Sequence, residues 1–282
     1  MQSTRDIKRR INSVKSTQQI TKAMEMVAAA KLRKAQARVT SARPYTAKLT
    51  EVINRIVERG ADSSHTLLEP KEGRTAYIVI AGNRGLAGAY NVTLLRFARD
   101  QIAADPGPVA VVGRKARDFM RKLDMEIIAE YLNLADEPSY QQAVTIMDPL
   151  LSYYEEGVFG RLNIIYTRFQ SALQQRPTMV PLLPVDVSKT EERTAQALYL
   201  YEPSPETVLA SLLPRYVRSL VFQGLLEARA SEEGSRMTAM KSATDNANEM
   251  IDSLTLSFNR VRQAAITQEL LEVVNGAQAL EG

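Results

Sequence analysis

From Ile7 onward, residues recur at alternating steps of four and three: Ile7, Ile11, Val14, Gln18, Thr21, Glu25, Ala28, Leu32, Ala35, Val39, Ala42, Thr46, Leu49, Ile53 and Ile56. A mostly apolar seam of about seven heptads is the pattern of one long helix wrapping left-handedly around another. It predicts a first helix that ends near Gly60 and is kinked or interrupted at Pro44, where the backbone donor is missing. Gln18, Thr21 and Glu25 make the middle of the seam polar, so packing there is weak or serves a different partner.

The other end of the chain offers the matching helix. Ser204-Pro205-Glu206 reads as an N-cap, a proline at the first helical position and an acid in the first turn. Beyond Pro214 no proline occurs up to Gly282. Met240, Ala243, Ala247, Met250, Leu254, Ser257, Val261 and Ala264 repeat the seam spacing. A helix from 205 to about 278 would be roughly 110 Å long, too long for a compact domain of this size. Antiparallel pairing of the two terminal helices answers both observations, with the last ~28 Å of the second helix projecting alone.

Between the helices the pattern changes. TAYIVIAG (75–82), PVAVVG (108–113), MEIIAEYL (125–132) and RLNIIYTRF (161–169) read as strands. Residues 92–105, 114–124 and 140–157 read as intervening helices, so a largely parallel sheet with right-handed crossovers is expected. The proline-rich 174–186 reads as an edge strand or extended connection. The fold class is therefore α/β plus a long antiparallel coiled coil: a helical rod and a central, Rossmann-like, mostly parallel domain. The expected divisions are 1–59, 74–190 and 204–282.

One segment does not fit a simple pair. In ITKAMEMVAAAK (20–31), Ile20, Met24 and Val27 form one stripe, while Ala23, Met26, Ala28, Ala29 and Ala30 fill most of the remaining faces. Something must surround it on several sides. Charge is also uneven: residues 1–48 hold twelve Lys/Arg against two acids, while 205–282 hold seven against ten. The basic character belongs to the first helix.

Several chemistries lack material. The 282 residues contain no Cys and a single His, His65, in the loop-like GADSSHTLLEP. That excludes disulfides, thiolate catalysis and Cys-based zinc sites, and leaves little for multi-histidine metal or Ser-His-Asp chemistry. A reducing compartment is expected. No apolar run approaches a membrane span, and MQSTRDIKRR lacks the apolar core of a secretory signal. The turn AGNRGLAGAYN (81–91) follows a strand and opens a helix. It has Asn83 where a dinucleotide fingerprint needs its first glycine, and no Lys-Ser/Thr follows. A turn in which small residues permit close packing is the better reading, and no cofactor is expected. The basic first helix interleaves its cations with apolar residues rather than stacking aromatics, which argues against nucleic acid.

The two ends together resemble the gamma subunit of F-type ATP synthases. RRINSVKSTQQITKAMEMVAAAKLRKAQ (9–36) is similar to that family's N-terminal helix, and SRMTAMKSATDNANEMI (235–251) and ITQELLEVVNGAQAL (266–280) to its C-terminal helix. The last carries the family signature from Ile266 to Ala277. NRGLAGAYN resembles the family's glycine-rich loop, with Asn83 and Ala89 as departures. The absence of a cysteine-bearing regulatory insertion resembles the bacterial type.

This resemblance implies a rotating, non-catalytic central stalk. Its partners would be the alpha and beta subunits of a catalytic ring, an epsilon subunit and a proton-driven membrane c-ring. Membrane contact would come only through the c-ring, at the cytoplasmic face of the bacterial cell membrane. By matching positions, Lys22, Met24, Arg262, Gln263 and Thr267 would meet the catalytic subunits' acidic moving loops. Gly276, Ala277 and Leu280 would sit in the apolar bearing at the tip.

Overall fold

The computed structural model describes residues 3–58, 65–132, 135–186 and 201–281. Two compact units emerge: residues 29–236, and residues 1–28 together with 237–282.

The larger unit is a three-layer α/β structure around a five-stranded sheet. In chain order it contains the second half of α1 (Thr4–Glu58), β1 (Thr75–Ile80), α2 (Tyr90–Ala104), β2 (Val109–Val112), α3 (Arg114–Lys122), β3 (Ile127–Tyr131), α4 (Tyr140–Glu155), β4 (Arg161–Phe169), β5 (Gln175–Leu183) and the first part of α5 (Pro205–Glu281). The strand order is β3-β2-β1-β4-β5. The first four strands run parallel and β5 is antiparallel at the edge. Pro177 and Pro181 lie on β5, where an edge position spares them a missing ladder donor.

The period-two alternation of strand residues splits the core in two. Ala76, Ile78 and Ile80 of β1 face a layer made by α4, by Leu49, Ile53 and Ile56 of α1, and by Leu213, Val217 and Val221 of α5. Tyr77 and Val79 face Leu94 and Ala98 of α2 and Met120 of α3 on the opposite side. Local signals start the helices. Ser139 and Gln142 form a reciprocal capping box at α4. Gly113, before α3, has φ 95° and a position where any Cβ would lie 2.2 Å from the Ala81 carbonyl oxygen.

In the smaller unit, α1 and α5 run antiparallel, as cross-helix bonds between Gln18 and Asn248 and between Thr21 and Thr244 require. Every α1 seam position from Ile7 to Ile56 is buried or half-buried, so the first seam holds throughout.

Of the kink or interruption expected at Pro44, the interruption does not occur, since α1 runs through it from Thr4 to Glu58. The second seam is corrected. On α5, Thr244, Ile251 and Phe258, not Ala243, Met250 and Ser257, occupy the seam between Met240, Ala247, Leu254 and Val261: Thr244 is buried, Ile251 and Phe258 are half-buried, and Met250 and Ser257 are exposed. The Thr244–Thr21 bond marks the face of α5 that turns inward, and Ile251 and Phe258 lie one and two heptads further along that face. Helix α5 does begin at Pro205, with the Thr207 amide donating to Ser204 Oγ at 3.3 Å. The expected ends at Gly60 and at residues 187–190 lie outside the described residues.

Candidate interaction surfaces

Two of the three polar seam residues, Gln18 and Thr21, are satisfied across the pair. Gln18 Nε2 donates to Asn248 Oδ1 at 2.8 Å. Thr21 donates to the Gln18 carbonyl at 3.0 Å and lies 2.8 Å from Thr244 Oγ1. What looks weak along one helix is therefore a set of register-setting bonds between two.

On the outside of this polar belt, apolar side chains face solvent: Ile20 is 60% exposed and Val27 57%, with Met26 similar. Met24 is half-buried, so the expected Ile20–Met24–Val27 stripe is not an inward one. Lys22 is exposed and pairs with Glu25 at 3.1 Å. Further along α5, every residue from Arg262 to Gln278 is exposed, including Ile266, Leu270, Leu271, Val273 and Val274.

The predicted site residues fall into separate groups. Lys22 and Met24 lie beside Thr21, and therefore level with Thr244. Arg262 comes about 27 Å later along α5, level with the start of α1. Gln263 and Thr267 share its exposed stretch, joined by a Thr267 Oγ1 bond to the Gln263 carbonyl at 3.0 Å. Gly276 and Ala277 are exposed with open space around Gly276. Leu280 lies within α5, and its side chain is outside the described residues. The predicted residues thus divide between one surface near Thr21 and a second beyond Val261.

The glycine loop lies at the carboxyl ends of the strands, where open α/β sheets bind ligands. Helix α5 occupies that place. Tyr90 donates to the Ala228 carbonyl at 3.2 Å and Ser231 to the Thr167 carbonyl at 2.9 Å. A Cβ on Gly82 would sit 3.1 Å from both Glu232 Oε1 and Asn91 Oδ1. Asn83, the departure from the fingerprint, accepts from the Arg114 amide at 3.0 Å and so helps cap α3. His65 serves its own turn, its Nδ1 accepting from the Leu67 amide at 3.1 Å.

Under the loop is a buried charge cluster that reasoning by motif missed. Arg229 reaches Glu232 at 3.1 Å and Glu233 at 2.9 Å, and Arg236 clasps the same two carboxylates. Burial works against the Arg236 charge, but Glu232 and then Glu233 outweigh it and raise its pKa. The signal was present as Arg229-x-x-Glu232-Glu233-x-x-Arg236, a pattern of i,i+3 and i,i+4 pairs on one face. Outside it, the loop after β3 binds both helices: Asp136 meets Lys31 at 2.9 Å and Arg229 at 3.5 Å, and Glu137 meets Arg38 at 2.7 Å.

The fold and these surfaces define a class: an α/β body whose ligand crevice is filled by its own helix, and an antiparallel helix pair with exposed apolar sides. Comparison with known proteins agrees. The family model described as ATP synthase matches residues 3–280. The ATP synthase gamma chain of Moorella thermoacetica is 50% identical over 284 residues, all of both chains. That of Heliobacterium modesticaldum is 49% identical, covering 99% of this chain and 100% of its own. Among solved structures, a chain of the Euglena gracilis mitochondrial ATP synthase (OSCP/F1/c-ring, rotational state 3) superposes with a TM-score of 0.71 at 22% identity, covering 98% of this chain and 94% of that one. A Tetrahymena thermophila central stalk/c-ring chain gives 0.62 at 23% identity, covering 79% and 99%. The chain belongs to the ATP synthase gamma-chain family.

Proposed function

We propose that this chain is the rotating central shaft of a bacterial F-type ATP synthase and performs no bond chemistry itself. The observation that carries this reading is the exposed apolar surface of the helix pair, from Ile20 and Val27 to Leu270 and Val274. An unaccompanied soluble protein would not leave so much of it in water, whereas a ring of subunits would enclose it. Alpha and beta subunits would form that sleeve. The epsilon subunit and the c-ring would hold the α/β body at the cytoplasmic face of the membrane. No helix among the described residues is long and apolar enough to cross a membrane, so the membrane contact would be made through the c-ring.

The mechanism follows from symmetry. A two-helix coil has no threefold axis, so three equivalent catalytic subunits around it must meet different faces. A third of a turn permutes those contacts, and each site's balance between open and closed states shifts with the face it meets. Lys22 and Met24 at one height and Arg262, Gln263 and Thr267 at another would touch the moving, acidic loops. The small side chains of Ala28 to Ala30 would let the sleeve slide. Gly276, Ala277 and Leu280 would turn in the bearing.

The test uses the cysteine-free background. Leu173, 82% exposed at the β4–β5 turn, becomes a unique labelling point as Leu173→Cys. In a complex reconstituted with alpha and beta subunits, a bead on this residue should turn in one direction during ATP hydrolysis. A static bead on an assembled, hydrolysing complex would refute the proposal.

A further inference from the structure

Within the 29–236 unit a solvent-open groove of about 640 Å³ lies between α1, the end of β4 and α5, lined by Arg43, Thr46, Thr50, Arg168, Gln223 and Glu227 among others. The Glu227 side chain is only 1% exposed. Its Oε1 accepts from Arg43 Nη2 at 3.3 Å and from Gln223 Nε2 at 3.2 Å. Its Oε2 is different: the Arg168 Nε lies 3.8 Å away, beyond hydrogen-bond reach, and this buried oxygen has no hydrogen-bond partner among the described residues. A buried carboxylate oxygen left without a donor is costly. The two guanidinium groups beside it are each about half exposed, at 50% and 51%, and a guanidinium carries five donors.

We propose that this groove binds inorganic phosphate in its protonated, monohydrogen form. The P–OH donates to Glu227 Oε2, and the remaining oxygens accept from Arg43 and Arg168. Two cations against one carboxylate favour an anion. The orphan acceptor requires that this anion also carry a proton, a combination that separates phosphate from its mimics. Sulfate has no proton to give at neutral pH and would set an unprotonated oxygen against the carboxylate. A phosphomonoester, with its second ionisation near pH 6, has mostly lost that proton by pH 8. Bound phosphate would tie α1, β4 and α5 through one ligand. This inference concerns residues of the 29–236 unit alone and does not depend on the rotary reading.

The experiment is equilibrium dialysis of radiolabelled phosphate against the full-length chain, kept dilute, at pH 8. Saturable binding is expected. A tenfold excess of sulfate or glycerol 3-phosphate should displace little of it. Arg168→Ala should weaken binding at least tenfold with unchanged circular dichroism. In Glu227→Gln a neutral amide that can donate replaces the carboxylate, so discrimination should be lost and sulfate should now compete with phosphate. Arsenate, which shares the protonation of phosphate, should appear in this groove by anomalous scattering. Absence of saturable binding overturns the proposal, as does displacement by sulfate equal to that by phosphate, or an Arg168→Ala chain that binds as before. The last two results would describe an adventitious anion contact or a site elsewhere on the chain.

Discussion

Arg229 is the residue on which most charge converges. Its Nη2 meets Glu233 at 2.9 Å and Asp136 at 3.5 Å, and its Nη1 meets Glu232 at 3.1 Å. Glu233 is 2% exposed, so removing its partner leaves a charge that water cannot reach. Arg229→Met should destabilise the larger unit by about 3 kcal/mol, the low end for breaking a buried pair, since Arg236 still holds both carboxylates. Arg229→Lys should recover less than half, because one ammonium cannot serve three carboxylates with a planar fork. Denaturant melts of the full chain measure both; equal stability of Lys and wild type would mean that the fork geometry is irrelevant. The glycine loop makes a second contrast. Gly82→Ala pushes a methyl to 3.1 Å from two oxygens, whereas nothing lies within 4 Å of a Cβ on Gly85. Overpacking at Gly82 should cost about 1–2 kcal/mol, and Gly85→Ala should be neutral within about 0.5 kcal/mol. A large loss of function from Gly85→Ala at unchanged stability would restore a ligand-binding role to the loop.

At the scale of elements, the part of the fold legible in the sequence was the part set by local pattern. The α1 seam followed from its 3.5-residue spacing, and the strands from short β-branched runs, which suit a sheet covered on both faces. The α5 register was less visible. Ala243 and Ser257 are small enough to pass for seam residues, and only the partner's Thr21 shows that Thr244 lies inside. The buried Arg–Glu cluster was legible as a pattern of charges but not as buried, because burial there is decided by the glycine loop packing from far along the chain. Met24 was placed in a stripe that the structure turns outward in part, since one helix cannot tell which of several apolar faces its neighbour takes. The exposed end of α5 carries its own prediction. Deleting 277–282 removes Leu280, worth ~1.5–3 kcal/mol if fully buried by a partner, but leaves the seam from Met240 to Val261 intact. A reconstituted complex should still assemble and hydrolyse ATP. Cutting back to residue 261 also removes Arg262, Gln263, Thr267 and the apolar residues Ile266 to Val274, so rate and torque should fall steeply. ATPase activity and proton pumping across ends at 276, 268 and 261 separate torque from anchoring. Complete loss at 276 would make the tip the working element.

At the scale of the molecule, the two units should respond to different stresses. The smaller unit buries few side chains: among the described residues only Ile7, Thr21, Ala28, Met240, Thr244 and Ala247 fall in its buried set. Its stability rests on a narrow seam, so heating the isolated chain should melt it first and leave the sheet standing. Alkali should attack the larger unit. Tyr77, Tyr90, Tyr131, Tyr154 and Tyr166 all have pKa values raised, in each case first by burial. Tyr166 is pushed up to about 12, with the nearby Glu227 adding to the effect of burial. A raised folded-state pKa means that the folded state holds its proton more tightly than the unfolded chain, whose tyrosines ionise near pH 10. The contribution is therefore fully present below about pH 10 and is lost as pH rises toward 12, at up to ~1.4 kcal/mol per unit for each such group. Tyrosinate absorbance and near-ultraviolet circular dichroism should consequently change together above pH 10, in one step, while the loss of helical signal on heating at pH 7 comes earlier and without a change in the sheet's aromatic signal. Independent ionisation of these five tyrosines well below the unfolding step would mean that their hydroxyls reach water in the native protein, and that the two cores flanking the sheet are looser than their packing requires.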